Sequence, residues 1–321
     1  MRQVPVAFLA TTLTLFCLPM IHAAEEPEIV KPGDHHFSLN IGGLKRKYLV
    51  HVPKSYEGKN AVPIVVMIHG AGGTSDWTLT ETGWGDKADK EGFLAVFPDG
   101  IPVDQTKAPK FLTNPQLWND GSKRGAIGKQ NNDDVGFIAL MLDDLEKRFK
   151  VDSKRIYVTG FSNGAAMTFR LGTELSRRIA AIAPVANYCW LKNPKPERSI
   201  PTLYLIGDQD PLVPLKGGEV KSPWTGQAET KPPVQETLEN WAVALGCPRE
   251  AKTVREKEGV KIVRFGPNKE GGELVAYTIE GLGHHWPGGK GGLTKRIAGE
   301  PSNKVRATDV IWDFFVKHPL P

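Results

Sequence analysis

Apolar positions along the chain fall into short solid runs that alternate with stripes at helical spacing. Val62–Ile68, Phe93–Phe97, Ile179–Val185 and Thr202–Ile206 are almost unbroken apolar stretches, the pattern of strands covered on both faces of a sheet. Lys45–Val52 alternates instead, as a half-buried strand does. Val135, Ile138, Leu142, Leu145 and Phe149 form one helical stripe behind the capping residues Asp133 and Asp134. Val234, Leu238, Trp241 and Leu245 form another, stopped by Gly246 and followed by Pro248. Two later strands, near Lys261–Phe265 and Leu274–Ile279, precede a glycine-rich segment, and a last helix is predicted from about Thr308 to Lys317. Strands alternating with helices predict an α/β fold. Its sheet is mostly parallel, with helices on both faces and the working edge at the strands' C-terminal ends. Residues 25 to 36 read as a polar lead-in, and 101 to 132 as a long irregular loop carrying Trp118.

Between two of these elements lies the stretch with the most chemical content. Ile156–Thr159 is a β-branched and aromatic run; it enters Gly160-Phe161-Ser162-Asn163-Gly164, after which Met167, Leu171 and Leu175 recur every four residues. Strand, G-x-S-x-G, helix is the pattern of a nucleophile elbow. The turn strains the serine backbone, and its neighbours at i±2 must lack side chains. The Ser162 hydroxyl is thereby placed at a helix N-terminus, where free N–H groups favour a developing oxyanion. The bland alternative is a glycine-rich turn with a capping serine.

Composition narrows the setting. Arg2 precedes an apolar stretch from Val4 to Ile21, followed by His22-Ala23-Ala24 and two glutamates. This is the form of a secretory leader, residues 1–23, cut after Ala23 or Ala24. Thr11, Thr12, Thr14 and Pro19 interrupt the run and no basic flank follows, so stable membrane association after cleavage is not expected. The rest, 24–321, reads as one catalytic domain, with no internal repeat and no Ser/Thr-rich linker. A formal charge of +5 with both signs interspersed gives no reason to expect a nucleic-acid partner. Export leaves Cys189 and Cys247, and an isolated pair in an oxidising compartment predicts one disulfide. No metal-ligand spacing is present.

A serine hydroxyl needs a base, and the base needs an orienting acid. The strand at Leu203–Ile206 runs into Gly207-Asp208-Gln209-Asp210, which offers two acids. Gly281-Leu282-Gly283-His284-His285-Trp286 offers two histidines in a late loop. The order Ser, Asp, His suits an elbow of this kind. His69-Gly70-Ala71-Gly72-Gly73 follows the first core strand, where the backbone N–H of Ala71 or its neighbour would join that of Asn163 as an oxyanion hole. Neither this segment nor Gly288-Gly289-Lys290-Gly291-Gly292 has the spacing of a nucleotide-binding loop.

Arg155–Leu171, Asp210-Pro211-Leu212-Val213-Pro214 and Gly281–Gly288 together resemble the secreted polyhydroxybutyrate-depolymerase and feruloyl-esterase group of α/β-hydrolases. Pro63–Gly70, Gly92–Gly100 and Asp133–Phe137 fit its core as well. The resemblance implies Asp210 as the acid and His284 as the base. Where that family often carries a histidine before the glycine of the acid loop, this chain has Ile206. The short tail after the last helix argues against a crystalline polyester. The reading is a secreted serine carboxylesterase, extracellular or periplasmic, that uses Ser162, His284 and Asp210 and needs no cofactor. Its expected substrates are feruloyl or acetyl esters on plant-wall polysaccharide, or soluble hydroxyalkanoate oligomers. Trp286 and Trp118 are candidates for the substrate pocket, whereas Trp77, Trp84 and Trp241 read as core or surface. Acyl transfer by the same residues and a non-catalytic binding protein are the alternatives.

Overall fold

A computed structural model describes residues 30–124, 128, 132–224 and 226–321; the predicted leader, 1–23, and its cleavage position lie outside them. Ten strands form one sheet. They are β1 (Gly33–Ile41), β2 (Leu44–Val52), β3 (Val62–Ile68), β4 (Leu94–Pro98), β7 (Val151–Phe161), β8 (Ala181–Val185), β9 (Thr202–Gly207), β12 (Lys252–Lys257), β13 (Val260–Phe265) and β14 (Leu274–Ile279). Their spatial order is β1-β2-β4-β3-β7-β8-β9-β14-β13-β12. From β4 to β14 every neighbour is parallel, and antiparallel pairs close both edges. This is the α/β-hydrolase arrangement expected from the alternation of strands and helices. The central strands β4, β8 and β9 are buried at every residue, which is why they lack polar alternation.

Helices cover both faces. On one, α3 (Asp134–Arg148), α4 (Asn163–Glu174) and α5 (Val234–Ala244) lie side by side, with Phe169 of α4 edge-on to Trp241 of α5 at 5.0 Å. On the other, α1 (Ser75–Thr82), α2 (Trp84–Glu91) and α7 (Ala307–Phe315) pack. There Trp312 stacks on Phe93 at 4.3 Å and Phe315 on Tyr157 at 4.7 Å. Two small ribbons stand apart from the sheet, β5 (Ile101–Pro102) with β6 (Gln116–Leu117), and β10 (Gly218–Lys221) with β11 (Ala228–Lys231). A short helix, α6 (Lys295–Ala298), follows the glycine-rich segment.

Several elements depart from the sequence reading. Residues 33–36, expected in a loose lead-in, belong to β1, whose alternating burial follows Phe37, Leu39 and Ile41. Helix α1, SDWTLTET, carries no apolar stripe, and α2, WGDKADKE, offers the core only Trp84 and Ala88. Caps mark their ends: the Thr74 side chain accepts from the Trp77 N–H, and Gly83 and Gly92 take left-handed conformations at the C-termini.

The long 101–132 connection is tied down by a buried ion pair. Arg46 Nη2 of β2 meets Asp134 Oδ1 at 2.7 Å, with both side chains almost fully buried. The guanidinium lies 4.0 Å from the Phe137 ring and donates to the Asp99 carbonyl. Asp134 Oδ2 accepts the Asn119 N–H at 2.7 Å, so this pair fixes the end of the loop that carries Trp118. Burial pushes the Arg46 pKa down and the Asp134 pKa up, and each charge opposes the other's shift. Asp134→Asn, which leaves Arg46 buried without its counter-charge, is expected to lower unfolding free energy by about 3–5 kcal/mol. Chemical denaturation measures this, and a loss below about 1 kcal/mol would contradict it.

Candidate active site

Strand β7 delivers Ser162 to the sheet's C-terminal edge and α4 leaves from it. Ser162 has φ 54° and ψ −122°, a conformation that costs a side-chain-bearing residue of order 1–3 kcal/mol. The turn is held by the Ser162 N–H on the Val185 carbonyl at 2.9 Å and by the Asn187 amide on the Ser162 carbonyl at 2.8 Å. The flanking glycines are steric requirements. A Cβ at Gly164 would lie 2.2 Å from the Ile68 carbonyl oxygen, and one at Gly160 2.3 Å from the Gly164 oxygen.

The acid and the base arrive from loops that follow adjacent strands, β9 and β14. A Cβ at Gly207 would fall 1.9 Å from the Leu282 carbonyl oxygen, so only glycine lets the two loops approach. Asp210 Oδ2 lies 2.7 Å from His284 Nδ1, and His284 Nε2 lies 2.8 Å from Ser162 Oγ. The other oxygen, Asp210 Oδ1, accepts the Leu212 and Val213 N–H groups, each at 2.8 Å. A carboxylate so placed holds the imidazole proton on Nδ1 and leaves Nε2 as the acceptor for the serine hydroxyl. The structure therefore joins Ser162, His284 and Asp210 in one hydrogen-bonded chain. The two competing residues do other work. Asp208 Oδ1 accepts the Gly281 N–H at 2.7 Å, and His285 Nε2 donates to the Gly299 carbonyl at 3.0 Å; both pin the loops that carry the chain.

Comparison with known proteins places this geometry. The family described as phospholipase/carboxylesterase matches residues 55–231, more than half of the chain. The chain belongs to that family. The putative esterase NocK of Nocardia uniformis subsp. tsuyamanensis is 27% identical over 295 residues, covering 86% of this chain and 80% of NocK. Feruloyl esterase B of Piromyces equi is 29% identical over 286 residues, covering 86% of this chain but 46% of that longer protein. Among solved structures, an acetyl xylan esterase from Aspergillus awamori superposes with a TM-score of 0.51 at 16% identity, over 75% of this chain and 89% of that one. The last is a likeness of fold. Carboxylic-ester hydrolysis is the activity class these relationships support.

In this esterase, Ala71 and Asn163 both line the cavity at Ser162. The Asn163 N–H begins α4, where no carbonyl one turn back can take it. The Asn163 side chain is committed elsewhere: Oδ1 accepts the Trp118 N–H at 2.8 Å, and Nδ2 donates to the Trp118 carbonyl and to Asp120. His69, beside the glycine loop, is a buried neutral imidazole. Its Nδ1 faces the Gly70 carbonyl at 2.7 Å while Nε2 accepts the Gly100 N–H at 2.9 Å. The His69 carbonyl takes the Trp118 indole N–H at 3.0 Å. His69, Trp118 and Asn163 thus tie the glycine loop that carries Ala71 to the start of α4.

Two cavities meet at Ser162 and His284. One, of about 340 Å³, is walled by Trp77, Phe111, Phe161, Leu293 and Ile297. The other, of about 190 Å³, is walled by Asp120, Arg124, Tyr188, Glu229 and Lys231. Trp224 and Leu212 belong to both, and the Trp224 indole donates to the Phe111 carbonyl at 3.1 Å across the boundary. Neither Trp118 nor Trp286 lines either cavity, which corrects both sequence-based assignments. Trp118 is fully buried as a brace, and the Trp286 indole donates to Thr308, which caps the Thr82 carbonyl. Trp77, expected in core or on the surface, is a cavity wall instead. The expected disulfide is also corrected: Cys189 and Cys247 are free. Cys189 follows β8 at the catalytic edge, whereas Cys247 bonds the Gly272 carbonyl ahead of β14 at the opposite edge. Burial raises the Cys189 pKa to about 12, which keeps that thiol protonated and unreactive. Among the described residues, no group of three or more His, Cys, Asp or Glu is placed to hold a metal ion.

Burial lowers the pKa of His69 below that of an unfolded histidine. The unfolded chain therefore binds the extra proton first, and stability rises with pH up to about 6.5 and falls as pH drops below it. His69→Gln is expected to flatten this acid-side fall in melting temperature, measured between about pH 7 and pH 5. An unchanged slope would contradict a buried neutral imidazole.

Proposed function

We propose that the protein is an exported serine carboxylesterase working through an acyl-enzyme. The observation that carries the reading is the chain Asp210–His284–Ser162, with contacts of 2.7 and 2.8 Å. Ser162 Oγ attacks the ester carbonyl as His284 Nε2 takes its proton, and Asp210 stabilises the imidazolium that forms. The oxyanion is held by the backbone N–H groups of Ala71 and Asn163, each donor worth roughly 10² to 10³ in rate. His284 then returns the proton to the leaving alcohol, and water, activated by the same nitrogen, releases the acid. A binding protein of the same fold would have no need of a strained serine aligned to a histidine.

The substrates proposed are hydroxycinnamoyl or acetyl esters of plant-wall polysaccharide, or hydroxyalkanoate oligomers. An aromatic-walled lobe beside a polar one suits an ester with an apolar acyl half and a polar alcohol half. The named activity of the Piromyces equi relative, feruloyl esterase, supports that choice. Export rests on the leader-like stretch from Val4 to Ile21.

Hydrolysis of a short-chain chromogenic ester tests the assignment. Ser162→Ala is expected to abolish turnover while leaving the melting curve in place. Asp210→Asn is expected to lower kcat by on the order of 10⁴. Asp208→Asn keeps an acceptor for the Gly281 N–H and should cost less than about tenfold. Turnover retained by Ser162→Ala, or the two aspartate effects reversed, would remove these roles.

A further inference from the structure

The polar lobe of the active-site cavity holds a cluster that ester hydrolysis itself does not require. Arg124 of the long loop lays its guanidinium 3.5 Å from the Trp190 ring. Lys231 of β11 stands 5.5 Å from the same ring. Both reach one acceptor, Glu229 Oε2, at 3.2 Å from Arg124 Nη1 and 2.6 Å from Lys231 Nζ. The fourth charge, Asp120, is occupied: Oδ1 takes the Ser122 N–H at 2.9 Å and Oδ2 the Asn163 amide at 3.1 Å.

Formal charge in the lobe is balanced, two cations against two carboxylates, so charge alone selects nothing. Hydrogen bonding does. Both carboxylates already accept from protein donors. Arg124 Nε, in contrast, is buried with no hydrogen-bond partner among the described residues, and so is the Trp190 indole nitrogen beneath it. Asn187 and Tyr188, which also line the lobe, bond within the protein. The lobe therefore offers more open donors than open acceptors, since Lys231 Nζ spends one of its N–H groups on Glu229 and Arg124 Nε has no partner among the described residues, and buried polar groups do not keep such a state. A neutral sugar hydroxyl brings a donor of its own that needs an acceptor. A carboxylate brings acceptors alone, and a guanidinium held 3.5 Å from an indole ring is the side chain suited to planar recognition of one.

We infer that Arg124 and Lys231 form a carboxylate-recognising subsite, and that the preferred ester carries an acidic group on its alcohol half. The inference rests on the esterase reading of the same cavity. The acyl half occupies the lobe of Trp77, Phe111 and Ile297, and the alcohol half, with its carboxylate, occupies the lobe of Arg124. Two alcohols share this chemistry: a hydroxy acid, as at the end of an oligoester, and a uronic acid.

Paired substrates that differ only in the acid test it. One pair is the free acid of a 3-hydroxybutyrate dimer and its terminal amide; the other is feruloyl glucuronic acid and feruloyl glucose. In at least one pair the wild-type enzyme is expected to favour the acid by on the order of tenfold in kcat/KM, mainly through KM. Which pair shows the preference names the source. Raising ionic strength should narrow it, and Arg124→Gln should bring the ratio towards one, with Lys231→Gln part of the way. Each ratio is taken within one variant, so partial loss of folded enzyme does not affect it. Ratios near one in both pairs of the wild type, with the esters still cleaved, would overturn the subsite alone. Failure to cleave even p-nitrophenyl butyrate would overturn the esterase reading, and this one with it.

Discussion

The structure depends on one strained turn. Ser162 is held at positive φ because β7 must end and α4 begin within a single residue, and nothing in the turn itself favours that conformation. What sustains it is the parallel sheet beneath. Strands β3, β7 and β8 are buried along their central residues, and close contact of Gly164 with the end of β3 leaves the helix no other seat. Hydrophobic burial over the whole sheet is far larger than the few kcal/mol stored at one residue. The strain is tolerated there and exposes the hydroxyl.

Once the serine is placed, parallel topology supplies its partners. Because β7, β9 and β14 point the same way, the segments that follow them emerge at one edge. Asp210 and His284 are 74 residues apart in sequence and meet there at 2.7 Å. Residues that the sequence offered as rivals, Asp208 and His285, became the fastenings of those same loops. The reacting groups sit on short, tied segments rather than on free loops, which limits the reorganisation needed during reaction.

Legibility followed physical cause. Strands β3, β4 and β9 were readable because they are buried on both faces and thus spell continuous apolar runs. The elbow was readable because sterics permit so few residues at i±2. The first half of β1, Gly33–His36, is polar, so residue type there points to a lead-in although its burial alternates like the rest of the strand. Helix α1 has no apolar stripe and α2 only the pair Trp84 and Ala88, too short a pattern to read. Residue type alone could not rank the tryptophans. Trp118 and Trp286 lie close in sequence to Asn163's partners and to His284, yet both are consumed by internal hydrogen bonds. Trp77 reaches the cavity from the first turn of α1 and Trp224 from the segment between β10 and β11, through tertiary packing. A count of cysteines predicts a bridge that the fold forbids, because it ignores which end of the sheet each thiol occupies.

The central claim is that one serine among all those in the chain is activated, and by the imidazole beside it. Stoichiometric labelling with a fluorophosphonate, followed by peptide mapping, tests this directly. The account predicts a single adduct on Ser162 that is lost when His284 is replaced by alanine. An intact protein that takes no label, or that is labelled at another residue, would contradict it.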